Sequence, residues 1–268
     1  MKRYIATYLI FLTLPFLVAF DEVPGYKKKF SVLCTNDFFT TDYLGNIYAA
    51  KGDELIKFNI SGEKLRIYSN KKLGNIFSVD ASNPLRILVY YKDFSCLVIL
   101  DSQLSPNGDG VHLEEFNLEQ TDLACTSFNN GVWVFNRQNM ELVRLDESMQ
   151  KVISTGNLNR ILNLDLHPNF MLEYNGNIYL NDPASGILIF DMYGTYAKTI
   201  PLMNLLSFQV REGVFYFFQE GKFTAYYPRE FRKVQEDFSE INFSQIRIEK
   251  DRIYLGNSDS ILVCTAIK

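Results

Sequence analysis

The chain has 268 residues, 47% of them hydrophobic and 15% aromatic, which suits one large all-β domain or two small ones and excludes general disorder. Its net charge is −4 with Lys and Arg scattered, so it lacks the concentrated basic face that nucleic-acid phosphates require. With 15 Gly and 8 Pro, no stretch has the composition of a collagen-like or Pro-rich linker.

At the N-terminus, Lys2 and Arg3 precede an apolar run over residues 5–20, followed at once by Asp21 and Glu22. That run is shorter than the roughly 20 residues a membrane-spanning helix needs. The expectation is an export signal over residues 1–19, cleaved near Ala19, with an uncleaved anchor as the competing reading. Loss of Lys2 and Arg3 takes the charge from −4 to −6. Residues 20–268 are then expected to form one domain in the periplasm or at the outer membrane or cell surface. Lys27-Lys28-Lys29 is expected to be a solvated leader into a strand at 30–34.

Beyond that strand a short unit recurs: a turn residue, then an apolar strand rich in aromatic and β-branched residues. It stands as Gly45-Asn46-Ile47-Tyr48, Leu85-Arg86-Ile87-Leu88, Gly131-Val132-Trp133-Val134, Gly176-Asn177-Ile178-Tyr179, Gly213-Val214-Phe215-Tyr216 and Asp251-Arg252-Ile253-Tyr254. The third residues fall at 47, 87, 133, 178, 215 and 253, at intervals of 40, 46, 45, 37 and 38. Periods near 40 with strand character throughout are those of four-stranded propeller blades.

The first unit predicts strands at 38–41, 46–50, 54–59 and 64–68, and the fourth repeats this plan. Strands near the axis are expected to be apolar runs and outer strands to alternate. No amphipathic helical periodicity follows residue 20. The last unit offers only three strands, at 245–248, 252–255 and 260–265, and the orphan strand at 30–34 matches this deficit. The expected fold is therefore an all-β, six-bladed β-propeller of four-stranded antiparallel blades, its last blade closed by the N-terminal strand.

Gly176-Asn177-Ile178-Tyr179-Leu180-Asn181-Asp182, with Gly186-Ile187-Leu188-Ile189-Phe190-Asp191, resembles an NHL-type propeller repeat, and residues 45–68 resemble it more loosely. The abundance of Lys, Asn, Ile, Tyr and Phe is similar to that of exported Bacteroidota proteins. The resemblance implies an interaction scaffold more often than an enzyme.

Chemistry is sparse. His112 and His167 are expected at surface or turn positions, and nucleophile-elbow, zinc-helix and phosphate-loop motifs are absent. Cys34, Cys96, Cys125 and Cys264 have neither metal-site nor redox-motif spacing and are expected as small buried hydrophobes, although export permits disulfides. Ser105-Pro106-Asn107-Gly108-Asp109-Gly110 fits a hairpin turn better than a calcium loop, because the downstream acids lie at the wrong offset. Asp42, Asp101, Asp146, Asp191 and Asp237 are expected at turns and strand ends. No metal or cofactor is expected.

Recognition is expected on the face built by the loops from second to third strands, through Lys92, Phe94, Arg137, Asp182, Glu220 and Asp259, with the connection at 154–163 as a further candidate. Three functions are open. The first is a non-enzymatic, monomeric envelope scaffold that binds a protein and reaches the membrane only through that partner, in an outer-membrane or protein-secretion assembly. The second is a hydrolase or lyase acting on an extracellular carbohydrate or lactone through channel carboxylates. The third is a glycan or small-ligand module.

Overall fold

Six antiparallel sheets stand around a central axis, each built from four strands that neighbour one another in sequence except in the last. The computed structural model describes residues 25–238 and 242–266. The expected export signal lies outside the described residues.

The chain enters through β1 (Tyr26–Leu33) and then completes the first blade with β2 (Phe38–Thr41), β3 (Ile47–Lys51), β4 (Glu54–Phe58) and β5 (Lys64–Ser69). The second blade comprises β6 (Ser78–Asp80), β7 (Ile87–Tyr91), β8 (Cys96–Leu100) and β9 (Val111–His112). The third has β10 (Thr121–Thr126), β11 (Val132–Asn136), β12 (Glu141–Leu145) and β13 (Lys151–Ser154). A five-residue helix, α1 (Leu158–Leu162), leads into β14 (Phe170–Tyr174), β15 (Asn177–Asp182), β16 (Gly186–Asp191) and β17 (Tyr196–Ile200). The fifth blade is β18 (Gln209–Arg211), β19 (Val214–Gln219), β20 (Lys222–Tyr227) and β21 (Arg232–Asp237). The sixth takes β22 (Gln245–Glu249), β23 (Arg252–Gly256) and β24 (Ser260–Ala266) from the C-terminal end and β1 from the N-terminal end.

This closure is the one the strand deficit predicts. Phe30 pairs with Val263, Val32 with Ile261 and Leu33 with Ser260. Cys34 ends just outside the strand, and its backbone N–H donates to Asp259 O at 3.0 Å, so pairing continues past the strand end.

Blade centres are driest. Every residue of β7, β11 and β12 is buried, because each lies between two strands of its own sheet and two neighbouring blades. Ile47, Ile87, Trp133, Ile178, Phe215 and Ile253, the residues that set the repeat, are all buried. The innermost strands depart from expectation: β6 and most of β22 are only half-buried, since one edge faces the axial channel. Polar residues can therefore occupy them.

One turn recurs in five hairpins and explains four of the spaced acids together with Asn59. Asp42, Asn59, Asp101, Asp146 and Asp191 each accept with one side-chain oxygen from the backbone N–H groups two and four residues on, for example Asp191 from Tyr193 and Thr195 at 2.9 and 2.8 Å. The fourth residue of each turn has positive φ. It is Gly45, Gly62 and Gly194 in three turns, but Leu104 and Met149 in the other two, where burial of the side chain offsets the backbone strain.

The turn at Asp101 relocates one expectation. The hairpin closes at Asp101–Ser105, not at Asn107-Gly108-Asp109-Gly110, because Leu104 N–H already bonds Asp101 O at 3.0 Å. Pro106 instead bridges Leu100, and the glycines that follow bend the chain into β9. Asp237 ends β21.

Candidate functional site

A cavity of about 740 Å³ runs along the axis, lined by all six innermost strands. These strands run in the same direction, so residues near their starts share one mouth and residues near their ends share the other. Phe38, Phe77 and Leu206 rim the first; Asp80, Glu173, Arg211 and Glu249 lie toward the second.

The polar residues of the channel join neighbouring innermost strands, whose free edges cannot reach each other directly. Gln209 imitates a backbone pair: its Oε1 accepts from Ile248 N and its Nε2 donates to Ile248 O, both at 2.9 Å. Gln245 does the same across the closure, accepting from Phe39 N at 3.0 Å and donating to Asp37 O at 3.2 Å. Asp80 reaches the third blade, accepting from Thr126 N and Thr126 Oγ1 at 2.8 and 2.7 Å. Glu173 reaches back to that blade, accepting from Ser127 Oγ, Phe128 N and Trp133 Nε1 at 2.7, 3.1 and 2.9 Å. Arg144 lies 3.8 Å over the Phe128 ring and donates to Ser127 Oγ and Phe128 O, completing that cluster.

Glu249 is held by residues of both the first and the fifth blades. Its Oε1 accepts from Thr41 Oγ1 at 2.9 Å and Gln209 Nε2 at 3.0 Å, and its Oε2 meets Arg211 Nη1 at 3.2 Å. Burial pushes its carboxyl above the usual range, against the opposing pull of Thr41, Arg211, Arg247 and Gln209. A pKa raised in the folded state contributes stability that is full below the unfolded-state value and is lost as pH rises through the folded-state value. Glu249→Gln removes this titration, so its Tm should improve relative to wild type as pH rises from about 4 to about 8, around a constant offset from the lost Arg211 contact. Thermal melts across that range test this; a Tm difference independent of pH would contradict it.

The loop residues singled out in the sequence do not form one site. Lys92 and Arg137, from the turns of successive blades, meet around Asp122 of β10 at 2.8 and 3.6 Å. Lys92 also lies 4.9 Å over the ring of Phe77, which ties this cluster to the channel mouth. Phe94 sits in the same turn as Lys92, with about half of its surface exposed (52%). Asp182 is fully buried, its carboxylate accepting from His167 N, Ala184 N and Ser185 N, so it shapes a turn and presents no surface. Glu220 occupies a tight turn at positive φ, and Asp259 accepts from Ser258 Oγ beside the closure. In the connection at 154–163, α1 exposes Ile161.

His112 lies on an outer strand and His167 in an exposed connection 3.4 Å from Asp165; neither lines the channel. All four cysteines are free thiols, Cys34 half-buried and the others buried. Cys125 borders the channel, and burial pushes its thiol well up. Among the described residues no group of three or more His, Cys, Asp or Glu is placed to hold a metal ion.

Asp122, Gln209, Arg211, Gln245, Arg247 and Glu249 were not anticipated as site residues. Polar residues alternate along β22, but alternation alone does not distinguish a channel from solvent.

No family profile and no curated protein matches the chain. Solved structures do. Virginiamycin B lyase from Staphylococcus aureus superimposes with a TM-score of 0.57 at 13% identity, covering 85% of this chain and 80% of that one. BBS1N, solved in complex with ARL6DN, gives 0.55 at 8% identity, with 92% and 98% covered. The extracellular domain of the putative one component system BT4673 from B. thetaiotaomicron gives 0.52 at 9%, with 85% of this chain and 32% of that chain covered. The shared property is the β-propeller fold. These neighbours include an enzyme, a protein-binding domain and an extracellular domain, so the fold leaves the activity open.

Proposed function

We propose that this chain is a non-enzymatic interaction scaffold of a bacterial envelope, exported by residues 1–19 and acting as a subunit of an outer-membrane or protein-secretion assembly. The observation that carries the reading is the engagement of the channel carboxylates: Asp80, Glu173 and Glu249 each accept three hydrogen bonds, and all but the one from Ser82 N to Asp80 join neighbouring blades. A hydrolase or lyase would need an acid or base free to exchange a proton with substrate. The NHL-like repeat pattern and the ARL6DN complex of the BBS1N propeller favour the same reading by analogy.

The docking face would be the loop face around Lys92, Phe94 and Arg137, where an exposed ring lies among exposed charges in the manner of a protein contact. Membrane attachment would come through the partner; among the described residues no helix is long and apolar enough to cross a membrane. A photo-cross-linking residue at Phe94 in the full chain, expressed in its source cells, should give one discrete adduct. The same residue at Tyr193, exposed on a hairpin of the opposite face, should give none. Equal adducts from both positions, or none from Phe94, would reject the loop face as the docking surface.

A further inference from the structure

We infer that the axial channel binds a drug-sized organic carboxylate, its anionic end on Arg247 and its apolar body toward Phe38, Phe77 and Leu206. This holds whether or not the loop face docks a protein.

The cavity, about 740 Å³, lies within the range of roughly 300–1,000 Å³ typical of small-molecule sites. It also has the usual division of such sites: mostly apolar walls with a few converging polar groups. What separates it from a water-filled pore is the state of those groups.

Every channel carboxylate has its protein donors, as described above, so the walls offer few acceptors to a ligand. The cations differ. Arg211 donates to Ile248 O and Glu249. Arg247 makes one hydrogen bond, from Nη2 to Thr40 Oγ1 at 2.6 Å, and its Nε is buried without a partner. A guanidinium carries five donors in a planar fork. This one faces the channel with most of them unmet.

Glu249 and Asp80 lie close enough for their fields to support the charge on Arg247 against burial, yet neither is bonded to it. The missing complement is therefore an acceptor, and a carboxylate matches the fork best. Removed from bulk water, that pairing is stronger than at the surface. The rim adds no free cation: Lys92, over the Phe77 ring, is already paired with Asp122 at 2.8 Å, so recognition of the anion rests on Arg247.

The test uses the full chain with 1-naphthaleneacetate and its neutral amide, 1-naphthaleneacetamide, and with decanoate as an aliphatic probe. Binding is read by calorimetry and by the emission of Trp133, whose indole N–H bonds the channel residue Glu173. At least one carboxylate should bind at one site per chain, and naphthaleneacetate should bind at least about tenfold more tightly than its amide. Arg247→Gln should abolish that preference, and Lys92→Gln should preserve it. If Arg247→Gln does not fold, the carboxylate-over-amide ratio in the wild-type chain still decides the matter.

Equal affinity for acid and amide would overturn the inference. So would loss of the preference in Lys92→Gln, or no saturable binding of either carboxylate below about 5 mM, which leaves the channel to water.

Discussion

Val32→Asp should destabilise the propeller by about 4 kcal/mol, most of the stability of a domain at the lower end of the usual range of roughly 5–15 kcal/mol. Val32 belongs to the strand that seals the ring, and only 4% of it is exposed. It belongs to the buried cluster that also holds Phe58 and Tyr254, so it lies in the core shared by the first and the last blade. A carboxylate there has no partner and no water, and the strand must either bury the charge or peel away from β24. Peeling exposes the edge of β24 and leaves a three-stranded blade.

The neighbouring residue supplies the control. Leu33 points to the other face of the same strand and is 78% exposed, so Leu33→Asp should change stability by less than about 0.5 kcal/mol. Urea unfolding followed by Trp133 emission measures both. Equal effects from the two variants would show that β1 is not held in register.

Glu173→Ala should cost about 3 kcal/mol, with a shift in Trp133 emission that precedes global unfolding. Three donors from the third blade end on this carboxylate: Ser127 Oγ, Phe128 N and the indole N–H of Trp133. Trp133 is fully buried, so its N–H finds no substitute acceptor in water. Arg144 depends on the same cluster through Ser127. Glu173→Gln keeps one acceptor oxygen and the shape, but turns an NH₂ toward groups that themselves donate; about half the cost of the alanine variant is expected. Denaturant melts of both variants decide this. An alanine variant within about 0.5 kcal/mol of wild type would mean that the third and fourth blades hold together without the carboxylate.

What was legible in the sequence were the features that repeat within about ten residues or along the whole chain. Alternation in strands, the side-chain oxygen that caps each tight turn and the forty-residue spacing are local or periodic, so residues 38–41 and 64–68 can be placed as strands without knowing what they touch. Ring closure also followed, because a deficit of one strand at one end and a surplus at the other are countable.

Tertiary structure alone decided which polar residues matter. Asp182 has the sequence of an exposed turn, yet His167 N, fifteen residues away, folds over its carboxylate and buries it. Lys92 and Arg137 belong together only because Asp122 of another strand lies between them. Arg247 faces Thr40 from 207 residues away. The last of these pairings is made by the closing of a ring, which brings innermost strands side by side, and no local pattern records which strand will stand beside another. The blades follow from short-range hydrogen bonding and burial; the channel exists only once six of them have met.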